Sequence, residues 1–227
     1  MTGPTYDAVV VGAGPNGLVA ANHLVDAGWS VLVLEAQPDV GGAVRSAQDV
    51  HPGFVHDTNS AFYPLAAASA TIRSFHLEDH GLEWTHAPAV LGHPFPDGSW
   101  GLLHRDREIT ARLMEEKQPG DGEAWLELCS DWDRIGDQLI GAQLTPFPPV
   151  RHGLGVLARL RSVGGLDFVK TLLTPAIVVG LTRFAGRTPR TLIAGNAGHA
   201  DIPLTAPGSG LMGILMGSVA LAIGWAG

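Results

Sequence analysis

The residues of this 227-residue chain best suited to chemistry are a cluster near its start and one acid further on. Gly12-Ala13-Gly14-Pro15-Asn16-Gly17 spells G-x-G-x-x-G between an apolar run, Tyr6–Val11, and a stretch of helical spacing, Pro15–Ala27. Gly12 permits a tight turn out of a strand, and Gly14 leaves the backbone open to a pyrophosphate. Gly17 and Ala21 let a helix pack closely on a sheet. The helix N-terminus offers unpaired N–H groups and a positive dipole end to phosphate charge. Glu35 closes a second apolar run, Ser30–Leu34, where a carboxylate accepts hydrogen bonds from both adenosine ribose hydroxyls and repels a 2′-phosphate. With Gly28 between helix and second strand, all six positions of the extended pattern are in register. A Gly-rich loop in an ordinary α/β domain would not require that.

Positioning these groups takes a βαβ unit, with buried strands at Tyr6–Val11 and Ser30–Leu34 and a helix at Pro15–Ala27 that ends before Gly28. From Glu35 to Pro64 the chain reads as loop. Thr71–His80 is expected to be helical, and Leu82–Thr85 and Ser99–His104 to be short strands. Asp106–Lys117 and Asp121–Gln143 are expected to be helices, the second carrying Trp125, Leu128, Trp132, Ile135 and Leu139 on one face. Thr145–Val150 breaks the pattern. The rest is helical, interrupted at Gly164-Gly165, Pro175, Pro203 and Pro207. The fold class is therefore α/β, with a Rossmann-type segment over 1–65 and a mainly helical segment over 66–227.

The segment after Glu35 carries a second signal. Gly41-Gly42, with Arg45 three residues on, resembles the second flavin-contacting motif of the phytoene desaturase/dehydrogenase-like branch of the amine oxidase superfamily of FAD enzymes. Pro52-Gly53-Phe54-Val55-His56-Asp57 resembles the stretch that family places between this turn and the flavin. Leu192–Pro207 is similar to its substrate-domain helix region. Many members have Arg directly after the two glycines, where this chain has Ala43, so the basic role passes to Arg45. The resemblance implies FAD held by Gly12, Ala13, Gly14, Pro15, Asn16, Gly17, Glu35, Ala36, Gly41, Gly42 and Arg45. It implies hydride transfer from the C–H bond of an apolar or lipid-like substrate to flavin N5. No catalytic residue is singled out. An NAD-binding dehydrogenase is the alternative at this site, but NAD folds do not need the Gly41-Gly42 turn.

Members of that family are about twice as long and return to the dinucleotide domain after the part that matches here. Two strands also fall short of a doubly wound sheet. Three expectations follow: an N-terminal portion of a longer flavoenzyme, which is favoured; a short flavoprotein completed by a homo-oligomer or a second chain; or a non-catalytic nucleotide-binding or interaction module.

Composition narrows the rest. A net charge of −8 with no Lys/Arg run excludes a nucleic-acid surface. The single cysteine, Cys129, rules out a disulfide framework and, with no secretory signal, points to a reducing, cytoplasmic setting. Cys129 is expected to pack as a small hydrophobe. The charge-free C-terminal stretch, with Gly213 and Gly217, is expected to be a buried helix rather than a membrane anchor. Peripheral membrane contact follows only from the family likeness and a lipid-like substrate. His76 and His80 have i,i+4 spacing but neither a third ligand nor a general-base Glu beside the first, so no metal site is expected.

Overall fold

The computed structural model describes residues 3–60 and 63–223. The chain divides into two compact units, one holding the residues up to Tyr63 together with Ala70–Gly81, the other holding Pro64–Ser69 and the chain from Leu82 onward.

In the first unit, β1 (Ala8–Val11) pairs in parallel with β2 (Val31–Leu34), with Ala8 opposite Val31 and Val11 opposite Leu34. Helix α1 (Pro15–Asp26) crosses between them, starting on Pro, whose missing N–H costs nothing at that position. Gly28 follows the helix at φ 88°, a value that favours glycine. Asp7 ties the strand beginnings together. Its carboxylate accepts from the Ser30 N–H and hydroxyl, at 2.8 and 2.6 Å, and these bonds hold it below its ordinary pKa. The expected loop over Glu35–Pro64 holds a small antiparallel ribbon, β3 (Ser46–Ala47) with β4 (His56–Asp57).

The helix expected over Thr71–His80 is not continuous. Helix α3 (Ala70–Ser74) stops after five residues, His76 takes a left-handed φ of 48°, and a 3-10 turn covers Leu77–His80. So short a helix has little stability of its own. Bonds from Phe75 N and His76 N to the carbonyls of Ile72 and Arg73 wind it down, while the Phe75 ring packs 4.9 Å from that of His23. His76 and His80 thus share no helix face.

The second unit opens with a short helix, α2 (Pro64–Ala68), and an antiparallel hairpin, β5 (Ala89–Pro94) with β6 (Trp100–His104). Leu82–Thr85 is not a strand; β5 takes its place as the partner of β6. The reason is the turn: Asp97 accepts from the Ser99 N–H and hydroxyl, and Gly98 supplies a positive φ of 78°, which folds the chain back just after Pro94. Helix α4 (Arg107–Lys117) is capped by Asp106, which accepts from Glu108 N at 2.8 Å.

Helix α5 (Asp121–Gln143) buries Trp125, Leu128, Cys129, Trp132 and Ile135, as its stripe predicts, with Leu139 half-buried. Five helices complete the unit: α6 (Val150–Arg159), α7 (Leu166–Leu173), α8 (Ala176–Arg183), α9 (Arg187–His199) and α10 (Ser209–Ile223). The breaks between them fall at Gly164-Gly165, at Pro175, at residues 184–186 and between Pro203 and Pro207.

Helix α10 is part of the core. A side chain on Gly213 would meet the Ile193 carbonyl oxygen at 2.7 Å, so α10 and α9 approach through glycine. Leu192, Ile193, Ile214 and Leu215 are almost fully enclosed. Each such side chain contributes about 1.5–3 kcal/mol by leaving water. No helix among the described residues is long and apolar enough to cross a membrane.

Candidate dinucleotide site

The site begins where β1 runs out. Gly12 N–H donates to the Leu34 carbonyl at 2.7 Å, one residue beyond the strand ladder, and Gly12 then turns at φ 95°. Helix α1 follows with Gly14 as its N-cap and no acidic residue in its first turn. Leu18 N–H is bonded to Gly14 O at 2.9 Å, so the N–H groups of Asn16 and Gly17, ahead of it, belong to the unpaired first turn of the helix.

The two glycines of this turn serve different ends. A side chain on Gly17 would start 2.0 Å from the Gly12 carbonyl oxygen and 3.4 Å from Val10 Cγ1, so packing of helix on strand excludes one. At Gly14 an added Cβ would meet only Gly42 Cα, at an ordinary 3.8 Å. The protein's own packing therefore does not demand glycine at 14.

Glu35 holds the loop. One of its carboxylate oxygens accepts from Ala13 N at 2.7 Å and the other from Gln37 N at 2.9 Å. The Ala13 bond, and then the Gln37 bond, hold the carboxyl below its ordinary pKa, so it is ionised at neutral pH. A carboxylate offers about four lone-pair sites, so both oxygens keep acceptor capacity. Sequence reasoning expected Glu35 to serve a ribose and missed its part in holding the loop. The smallness of the buried residue 13 is the signal that a loop is folded tightly there.

The second glycine pair sits against the first. Gly41 N–H donates to Ala13 O at 2.8 Å, and a Cβ on Gly42 would come within 3.0 Å of Gly14 Cα. Both glycines have positive φ, 115° and 58°, and a side chain on Gly41 would collide with Val44 O. Ala13 thus bridges Glu35 through its N–H and Gly41 through its carbonyl.

Arg45 is half-buried just beyond the turn, with its carbonyl accepting from the Thr58 N–H and hydroxyl at 3.0 and 2.9 Å. No ion pair engages its guanidinium among the described residues. Pro15, Asn16 and Ala36 are exposed, and Ala43 lies on the surface of the turn. His56 is paired with Asp49 at 2.9 Å, and the His51 ring packs edge-on against Phe54 at 5.2 Å. Gly12 through Gly17, Glu35, Gly41 and Gly42 are therefore brought together, with Arg45 and Ala36 adjoining them in the chain. Cys129, in the other unit, is buried, and that burial pushes its thiol up to about 12, which disfavours the nucleophilic thiolate.

Residues 10–78 match the family model of the NAD(P)-binding Rossmann-like domain. Pyridine nucleotide-disulfide oxidoreductase domain-containing protein 2 of Mus musculus is 41% identical over 95% of this chain and 42% of its own length. The solved structure of a putrescine oxidase variant, from a redesign of cofactor binding, superposes on 97% of this chain and 45% of its own at a TM-score of 0.53 and 17% identity. The chain thus carries an NAD(P)-binding Rossmann-like domain in its first part. A component of the limonene dehydrogenase of Castellaniella defragrans is a further relative, 26% identical over 59% of this chain and 24% of its own length. The chain spans less than half the length of each of these proteins. Like the sequence, the structure has a Rossmann-like segment with parallel strands followed by a mostly helical part, α/β overall.

Proposed function

We propose that the first unit holds the ADP half of FAD in an oxidoreductase of the phytoene-dehydrogenase-like kind, acting on an apolar or lipid-like substrate. The observation that carries this reading is the pair of glycines at 14 and 17. Gly17 is explained by the helix–strand contact, whereas a Cβ at Gly14 would make only an ordinary contact with Gly42 Cα, so internal packing does not account for the glycine. That is the arrangement a pyrophosphate needs in order to reach the backbone.

The residues fit the group. The first-turn N–H groups of α1 bind the phosphate oxygens, and the absence of an acid in that turn leaves the positive dipole end uncompensated. The spare acceptor capacity of Glu35 binds the ribose hydroxyls. The Gly41-Gly42 turn keeps a side-chain-free surface beside Gly14, and Arg45 offsets phosphate charge. When bound, FAD supplies the hydride acceptor for oxidation of a substrate C–H bond. The apolar substrate class is supported by the likeness to a limonene dehydrogenase component.

Titration of the purified chain with FAD and with ADP tests this reading. Tight binding of both is expected in the wild type, with a loss of about tenfold or more in Gly14→Val. Binding by Gly14→Val within about twofold of wild type would overturn the assignment.

A further inference from the structure

Helix α6 is built inside out. It packs on α5 through its small and polar positions: a side chain on Gly155 would meet Gln138 Oε1 at 2.2 Å, and one on Gly141 would meet the His152 ring at 2.3 Å. Its apolar positions Val150, Leu154 and Leu157 recur at i, i+4 and i+7, on the side turned away from α5, and are 62%, 62% and 65% exposed. No residue of α6 is buried. The pattern extends along the chain. Phe147, in the loop before α6, is 93% exposed, and Leu166 and Leu173 at the two ends of α7 are 80% and 61% exposed.

Charge along the same stretch runs against that of the chain. From Leu144 to Leu173 there are four cations, Arg151, Arg159, Arg161 and Lys170, and one acid, Asp167, in a protein whose net charge is −8. All four cations are exposed, and none is in an ion pair among the described residues.

We propose that the Phe147 loop, α6 and α7 form a docking face for an anionic lipid surface. Protruding apolar side chains separated by cations match the boundary between acyl chains and anionic headgroups: the leucines enter the apolar layer and the guanidinium groups stay with the phosphates. The charge complementarity selects this occupant over a second copy of the chain, because pairing like with like would set one basic patch against another. The inference is independent of the nucleotide site.

The 227-residue chain is tested by co-sedimentation with vesicles of phosphatidylglycerol and phosphatidylcholine, and with vesicles of phosphatidylcholine alone. Binding is expected only to the first, weakening as salt rises. Leu154→Glu/Leu157→Glu and Arg151→Glu/Arg159→Glu should each lower the partition coefficient by about tenfold or more. Because these side chains are exposed, both variants should keep the wild-type circular dichroism. A second readout uses Leu154→Cys carrying an environment-sensitive dye. Labelling is selective because Cys129 is buried and its thiolate disfavoured, and the emission should shift to the blue only with the anionic vesicles. Equal binding to both vesicle types, binding indifferent to the four substitutions, or a dimer that Leu154→Glu dissociates without any vesicle binding would overturn the proposal.

Discussion

The sheet of the first unit leaves Val9 and Val11 53% and 83% exposed, while the second unit encloses Leu103, Ile135, Leu192 and Ile193 to within 2%. The first unit has α1 against its β1–β2 pair, and parallel strands ordinarily have both faces covered. Its order rests on polar ties: Asp7 on Ser30, Glu35 on Ala13, and Gly41 on Ala13. The second unit is ordered by apolar burial between helices. Glycine serves close packing in both units, at Gly17 against the Gly12 carbonyl and at Gly213 against that of Ile193, whereas a Cβ at Gly14 would make only an ordinary contact.

The sharpest way to break this comparison is to hollow the second unit. Leu192→Ala should cost about 2–5 kcal/mol in urea unfolding, because the enclosed site cannot collapse around the gap. A smaller loss is expected from Asp121→Asn. The buried Asp121 carboxylate accepts from Ala185 N and Gly186 N, both at 2.8 Å, and an amide has oxygen for only one of them. The stranded N–H should cost about 1–3 kcal/mol in the same assay.

Gly14→Ala sharpens the contrast further. It should change stability by under about 1 kcal/mol, as an N-cap exchange does, while ADP binding measured by calorimetry falls severalfold. A large stability loss with unchanged binding would place Gly14 among the packing glycines. The smallest effect belongs to Asp97, which Arg187 and then Ser99 hold at about 2, below the ordinary 3.8. Its folded-state value is depressed, so its contribution is present above about pH 4 and is lost as pH falls toward 2. An NMR titration of Asp97 should show that depressed midpoint, and Arg187→Gln should return it toward 3.8.

The parts legible in the sequence are those where one physical demand acts alone. The run at Val9–Val11, the glycines of the turn and the stripe on α5 each answer to a single period or a single close approach. The elements that escaped depend on several weak demands at once. Strand β5 contains Gly92, His93 and Pro94, which read poorly as a strand; the Asp97-Gly98 turn was the available signal for it. The break at His76 arises from the shortness of α3 and the packing of Phe75, which no spacing encodes. At the site, the glycines and Glu35 were legible from their spacing, but the bond from Ala13 to Glu35 and the contact of Gly42 with Gly14 were not, because they join segments that only the folded loop brings together. The outward leucines of α6 were hidden by their own regularity, since helical spacing tells that a face exists and not which way it points.

The place of α10 in the core has a consequence for the order in which the molecule takes shape during synthesis. The first unit pairs β1 with β2 across 23 residues, a separation closed early and at low entropic cost. Leu192 and Ile193 acquire their α10 neighbours only after Ile214 and Leu215 have been added. A ribosome adding about 5–20 residues each second thus lets the glycine-rich loop form while Leu192 and Ile193 still wait for α10. For those seconds the nascent chain presents a formed turn and an unclosed core, and that is when a chaperone has the most to hold.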